Sequence, residues 1–498
     1  MKRLTAFLLA LVMLVCACGG CGTKDKDTIK TTAPTTKATT PATTTTTEPP
    51  VPQPTVPALE AVSKDVTATL NEVVLSDYTI VYAANADAYT VRAATYIRNE
   101  IYTRTGAVLN VITDDVEAGS QHEIVVGETN RPISATLDAD TEGLRFAMLA
   151  ENGHIAMEGN YFIIAAAAYF FVATYVTGEA ATVPATVQMR EPIVEKANNY
   201  IVLIGDGMGL NHTLMPEHLD GTTLADYSDG EKQFYGYLFP HQGFAHTNSL
   251  NNTTDSAASA TALASGYKTK NGYVGRGADG QDLKTLTELA GEMGMSTAIM
   301  STEVQTGATP AGFSAHADDR DETENILASQ KVLQEKYGTI IDGDHDVYTD
   351  YSVYQLTQRI ASHLDTLKQN EKGFFMMYEE AYIDKHSHEM DVDGAAKAVL
   401  RFNQAIATFM EFAFYNPDTF ILITADHETG GLGYTEDGGF QFSRGSHTGR
   451  DVPVFAYGAD TEVFHDKSIE NVQIPKTIAK MWGQKLAEDT DEQYPPLN

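Results

Sequence analysis

Cysteine is confined to three residues, Cys16, Cys18 and Cys21, all within the first 22 of a 498-residue chain. The remainder cannot form a disulfide within a folded domain and has no thiolate for a structural zinc site. Any metal must be held by Asp, Glu, His and Thr. Positive charge is the second shortage: 34 Lys and Arg stand against 67 Asp and Glu, a formal net charge of −33. Such a chain repels nucleic acid and anionic lipid at long range, which argues against a nucleic-acid partner. An anionic substrate needs local cations to overcome that field, and metal ions held by acidic side chains are one way to supply them.

Lys2-Arg3 and the apolar run from Leu4 to Val15 have the charged start and short hydrophobic middle of a secretory signal, too short for a comfortable membrane span. The run ends in Val15-Cys16-Ala17-Cys18-Gly19-Gly20, which resembles a bacterial lipoprotein signal, where a small residue precedes the cysteine that becomes lipidated. Cys18 fits that pattern best; Cys21, after Gly20, and a plain signal peptide are the alternatives. Residues 1–22 are thus expected to be a signal region. The mature chain is expected to be an exported lipoprotein, anchored to a membrane at the cell surface or in the periplasm. Residues 23–57 are rich in Thr and Pro. They hold too little apolar surface to offset ordering entropy and predict a disordered or extended linker, of which an O-glycosylated stalk is one form.

At this length two folded domains are the natural expectation. In residues 58–196, Tyr78 to Tyr82, Val108 to Ile112, Glu123 to Gly127 and His154 to Glu158 read as strands. Tyr89 to Thr103, ended by Gly106, and Tyr161 to Tyr175 read as helices. This order, and the run Glu123-Ile124-Val125-Val126-Gly127-Glu128-Thr129-Asn130-Arg131, resemble the small non-catalytic α/β module that precedes catalytic domains in some carbohydrate-active enzymes. The resemblance implies an accessory domain with a carbohydrate or cell-wall ligand.

Residues 197–498 alternate buried-strand runs with helical segments, which predicts an α/β fold with a mainly parallel sheet sandwiched by helices. Polar chemistry follows one strand after another. Tyr200 to Ile204 leads to Gly205-Asp206-Gly207, Phe374 to Tyr378 leads to Glu379-Glu380, and Phe420 to Ile423 leads to Thr424-Ala425-Asp426-His427. Ligands of open α/β sheets gather beyond the carboxyl ends of strands. Asp384 and His388 are four apart, so one helical turn aims both at a common point. Asp255-Ser256, before small helix-forming residues, reads as a cap and first turn, which sets the Ser256 hydroxyl among free N–H groups suited to an anion. Taken singly, each has a bland reading as an Asp-Gly turn, a solvated helix start or a capping serine. Together with Thr309, Arg320 and His447 they form a set suited to two zinc ions, a magnesium ion and a phosphoryl group.

Gly205-Asp206-Gly207-Met208-Gly209, Asp255-Ser256-Ala257-Ala258-Ser259, Ala308-Thr309-Pro310, Asp384-Lys385 with His388, Thr424-Ala425-Asp426-His427 and His447-Thr448-Gly449 resemble, in order, the motifs of the alkaline phosphatase family. The resemblance implies hydrolysis of small phosphate monoesters through a phosphoserine at Ser256. It implies one zinc ion on Asp384, His388 and His447, a second on Asp206, Asp426 and His427, and magnesium on Asp206, Thr309 and Glu379. Arg320 would bind the substrate phosphate, and Lys385 would reach it through water. Two departures stand out. Gly307 occupies the place of an Asp or His two residues before the magnesium-binding threonine, which alters the surroundings of the third metal. The span from Arg320 to Glu379 is also short for the family. A phosphodiesterase of the same superfamily, and a surface-binding protein with an inert phosphatase domain, are the competing readings.

Overall fold

A computed structural model of the chain describes residues 55–59, 69–70, 73–117, 121–137, 146–151, 153–159, 162–172, 176, 196–218, 234–343, 353–435, 439–486 and 493–498. The signal region with Cys16, Cys18 and Cys21, and the linker as far as residue 54, lie outside the described residues. The chain from Gln53 to Asn498 is one compact unit. Among the described residues no helix is long and apolar enough to cross a membrane.

The described chain builds two larger sheets. The first holds β1 (Tyr78–Tyr82), β2 (Asn110–Thr113), β3 (His122–Val126), β4 (Phe146–Glu151) and β5 (His154–Gly159) in the order β2-β1-β3-β5-β4, with only the β4–β5 pair antiparallel. Helices α1 (Ala88–Thr105) and α2 (Ile163–Phe171) accompany it. Gly106 ends α1 in the left-handed conformation, with φ 79°, that the sequence predicts for a helix stop.

The second sheet contains β6 (Asn199–Gly205), β7 (His241–His246), β8 (Ser296–Ser301), β9 (Ile340–Gly343), β10 (Phe374–Glu380), β11 (Thr419–Thr424), β12 (Val452–Tyr457) and β13 (Ser468–Glu470). Their order is β9-β8-β10-β6-β11-β12-β7-β13. Strands β9, β8, β10, β6 and β11 run parallel, and only β12 opposes both its neighbours. Every residue of β6, β10, β11 and β12 is buried, which is why these strands read as continuous apolar runs rather than alternating ones. β7 and β13 left no such signal. β7 is His-Gln-Gly-Phe-Ala-His, half-exposed near the sheet edge, and β13 has three residues.

The register decides where the chemistry lies. β6 sits between β10 and β11, with Ile204 opposite both Glu379 and Thr424. Asp206, Glu379 and Asp426 therefore emerge side by side at the carboxyl ends of three adjacent strands. Around the sheet lie α3 (Ser256–Ser265), α4 (Leu286–Glu292), α5 (Ala308–Ser314), α6 (Thr323–Tyr337), α7 (Val353–Leu367), α8 (Tyr382–His388), α9 (Val392–Tyr415) and α10 (Gln473–Met481). All ten residues of α3 are buried, all but Leu263 are small, and the helix turns no face to solvent.

Candidate active site

The turn after β6 brings the site together. Gly207 has φ 72°, and a Cβ at this position would lie 2.9 Å from the Cα and Oδ1 of Asp384, so no residue with a side chain fits without displacing α8. The Gly207 N–H donates to Asp426 Oδ1 at 3.0 Å, and its carbonyl accepts from Thr429 N–H at 3.0 Å. One glycine thus ties the end of β6 to the loop after β11 while α8 closes over it.

Two triplets of donors converge among the described residues: Asp206, Asp426 and His427, all buried, and Asp384, His388 and His447, partly open to solvent. In the first, His427 Nε2 lies 3.1 Å from Asp426 Oδ2 and 3.6 Å from Asp206 Oδ1. In the second, His388 Nε2 lies 3.4 Å from Asp384 Oδ2, the contact that their four-residue spacing predicts, and His447 Nε2 lies 3.6 Å from Asp384 Oδ1. The rings of His427 and His447 stack with centroids 3.6 Å apart, so the triplets are immediate neighbours.

Hydrogen bonding fixes the tautomers. His388 Nδ1 donates to the Gly445 carbonyl at 3.0 Å and His447 Nδ1 to the Thr254 carbonyl at 2.8 Å. Carbonyl oxygens only accept, so in the neutral rings both Nε2 atoms carry lone pairs, and these face each other at 3.0 Å. The same logic holds for His427. Thr429 donates its hydroxyl hydrogen to Asp384 Oδ1 at 2.5 Å and must accept from His427 Nδ1 at 3.1 Å, which leaves Nε2 of the neutral ring bare. Three imidazoles present lone pairs to two adjacent points, each with its other nitrogen anchored, as metal-ligating histidines do.

The carboxylates tell the same story from the opposite charge. Asp206 Oδ1, Asp426 Oδ2 and Glu379 Oε1 are buried without a hydrogen bond. Burial first, then the nearby Asp426, Asp384, Glu379 and Glu303, push the Asp206 carboxyl well above the usual carboxylate range. Burial and Glu303 do the same to Glu379. Burial opposes charge on His427, but Asp426 beside it overrides this and raises its affinity for a proton, while His427 in turn holds Asp426 low. Carboxylates crowded in a dry site without enough positive charge are what a divalent cation relieves. The donor set therefore fits metal.

Ser256 opens α3, and the Asp255 side chain caps the helix by accepting from Ala258 N–H at 2.9 Å. Ser256 Oγ lies 3.2 Å from His427 Nε2, so the hydroxyl faces the first triplet. Arg320 Nη1 stands 3.5 Å from Asp255 Oδ2 with its side chain 38% exposed, a cation at the mouth of the site. Thr309 is buried on α5, with Oγ1 3.5 Å from Asp206 Oδ2. Asp206 thus turns one oxygen to His427 and the other to Thr309. Glu379 accepts from the Ser301 hydroxyl, whereas its neighbour Glu380 is spoken for by the Arg401 guanidinium. Lys385 pairs with Glu303 at 2.8 Å; burial disfavours its charge, and the Glu303 carboxylate more than restores it.

Three contributors escape sequence reasoning. Thr429 links His427 to Asp384 across 45 residues of chain, and no local pattern marks it. His212, fully buried, accepts from Gly209 N–H at 3.2 Å through Nδ1 and donates through Nε2 to Ser387 Oγ at 3.0 Å, bracing α8 from below. Glu303 is the third. A signal for His212 existed in its place three residues after the Asp206 turn.

The alkaline phosphatase family matches residues 197–347 and 339–443. Alkaline phosphatase 3 of Bacillus subtilis is 29% identical over 355 residues, covering 60% of this chain and 77% of that protein. Alkaline phosphatase 4 of the same organism is 28% identical over 289 residues, covering 47% of this chain and 62% of its own length. Among solved structures, a variant of TAB5 alkaline phosphatase, with glutamate in place of a histidine and magnesium in its M3 site, is 26% identical. It superposes with a TM-score of 0.50, covering 59% of this chain and 99% of its own. Over residues 197–443, which carry Ser256, the first triplet, Asp384 and His388, the chain belongs to the alkaline phosphatase family.

Proposed function

We propose that the chain hydrolyses small phosphate monoesters through a phosphoserine formed at Ser256. Asp384, His388 and His447 would hold one zinc ion, and Asp206, Asp426 and His427 the other. Magnesium would lie with Asp206, Thr309 and Glu379, where oxygen donors suit a hard cation. The observation that carries this reading is the bare Nε2 lone pairs of His388 and His447, 3.0 Å apart and beside Asp384, next to a serine at a helix N-terminus. The magnesium held by the TAB5 variant supports the third site.

Divalent cations bound here supply Lewis-acid stabilisation to the attacking and leaving oxygens of an in-line displacement. The protein does the positioning. Ser256 Oγ forms a bond to phosphorus as the bond from phosphorus to the ester oxygen breaks, and the alcohol departs. Water then breaks the bond between phosphorus and Ser256 Oγ and releases inorganic phosphate. The N–H groups that open α3 and the planar fork of Arg320 hold the equatorial oxygens, where negative charge is spread in the transition state. Asp255 keeps Arg320 at hand without binding it bidentately.

The test is a side-by-side measurement of kcat/KM for an aryl phosphate monoester and the matching diester, with Ser256→Ala in parallel. The monoester is expected to be the better substrate, and the serine variant to lose turnover to background while keeping its metal. Diester preference would move the chain to the phosphodiesterase branch of the superfamily, and full activity in Ser256→Ala would remove the phosphoserine.

A further inference from the structure

Gly307 has no backbone reason to be glycine. Its φ of −55° and ψ of 157° suit any residue, and as the N-cap of α5 it contributes no side-chain cap, where Asp or Ser would give one. What requires its missing side chain is Glu303. A Cβ at position 307 would fall 1.8 Å from Glu303 Oε1 and 2.2 Å from its Cδ. The Glu303 carboxylate therefore fills the space of a side chain at 307, over the start of the helix that carries Thr309.

Its other contacts point the same way. The Glu303 N–H donates to Ser301 Oγ at 2.9 Å, and that hydroxyl donates to Glu379 Oε2, so one serine couples the turn bearing Glu303 to the Glu379 carboxylate. The remaining Glu379 oxygen, Oε1, is buried and carries no hydrogen bond, and the residue has 0% exposure. Glu303 Oε2 meets Lys385 Nζ at 2.8 Å, directly beside Asp384. A merely decorative surface ion pair needs neither a glycine cleared for it nor a side chain drawn in to 14% exposure.

We propose that Glu303 is a positioning residue of the magnesium site of Asp206, Thr309 and Glu379, supplying from position 303 the acidic group that Gly307 cannot. This rests on the three-metal reading above. Magnesium usually keeps several waters, and the Glu303 carboxylate, while pairing with Lys385, would accept from such waters and serve the ion without being a direct ligand.

The test is calorimetric titration of magnesium into the zinc-loaded chain, with zinc content measured on the same samples. Glu303→Gln, close in shape to the native residue, is expected to weaken magnesium binding by about 10–100-fold, the usual cost of losing an outer-shell partner, with zinc content unchanged. In Glu303→Ala/Gly307→Asp the vacated space receives the new carboxylate, and magnesium affinity is expected to return toward wild type. Magnesium binding by Glu303→Gln within about threefold of wild type overturns the proposal, as does a double variant no better than Glu303→Ala. A wild-type chain that takes up no zinc overturns the parent reading and this one with it.

Discussion

At the scale of single residues, the site works by assigning every nitrogen and oxygen one task. His388, His427 and His447 each spend Nδ1 on an anchor and keep Nε2 for the centre. Thr429 does this for His427 and for Asp384 at once, so its hydroxyl sets the imidazole of one triplet and the carboxylate of the other. Thr429→Val keeps the shape and removes both hydrogen bonds. It is expected to weaken zinc binding by about 10–100-fold and to lower kcat, while leaving the fold intact. Zinc content after dialysis against a graded chelator series checks this, and unchanged content would make Thr429 structural only. Asp206, Glu379, Asp384, Asp426 and His388 stand out in the sequence because they follow buried strands or share helical spacing, and His447 because it lies just before the strand Val452 to Tyr457. Thr429 and Glu303 do not, because their partners, Asp384 and Lys385, are far along the chain and meet them only through tertiary packing.

At the scale of elements, α8 and the turn after β6 depend on each other. Gly207 lets α8 approach, and His212 holds Ser387 from the other side, with the Ser387 hydroxyl donating on to the Ile383 carbonyl at 2.7 Å. Complete burial pulls the His212 pKa from 6.5 to about 3. Above pH 6.5 the imidazole is neutral in folded and unfolded chains alike and adds no pH dependence. Below it, the unfolded chain takes up a proton that the folded chain refuses, so stability falls by about 1.4 kcal/mol per pH unit until about pH 3. His212→Gln is expected to be less stable at neutral pH yet to show a shallower decline on acidification. Thermal melts of both chains between pH 4.5 and 7.5 (roughly the span where this proton matters) decide it: a constant difference in Tm would mean that His212 is protonated inside the fold. The strands of the central sheet were legible in the sequence because burial on both faces makes them uninterrupted apolar runs. β7, partly exposed next to the edge, and the short edge strands β9 and β13 were not, since strands of three or four residues, or strands with side chains in water, need no such run.

At the scale of the whole molecule, the two sheets are joined by chemistry as well as by apolar contact. Arg92 on α1 donates from Nε and Nη2 to both oxygens of Glu411 on α9, at 2.6 to 2.9 Å, and Tyr96 stacks on Tyr415 with centroids 4.4 Å apart. Glu411 is 5% exposed, so removing Arg92 strands a buried carboxylate. Arg92→Ala is expected to cost about 3 kcal/mol in urea unfolding, whereas Arg92→Met/Glu411→Leu is expected to be close to wild type. Equal losses in both would show that the guanidinium contributes through packing alone. Because α9 packs against α8, the helix with Asp384 and His388, and α1 packs on α2, the first sheet is linked to the scaffold under the site.

The net charge of −33 makes the central claim sharper, because a strongly acidic chain holds a phosphate only where local cations reverse its field. Rapid acid quenching of the metal-loaded chain during turnover of an aryl phosphate, followed by mass spectrometry of its peptides, tests this most directly. Phosphate covalently attached to Ser256, and absent when the metals are first stripped, is the expected result. Steady turnover with no phosphate on Ser256 at any quench time, paired with undiminished activity in Ser256→Ala, would contradict the claim.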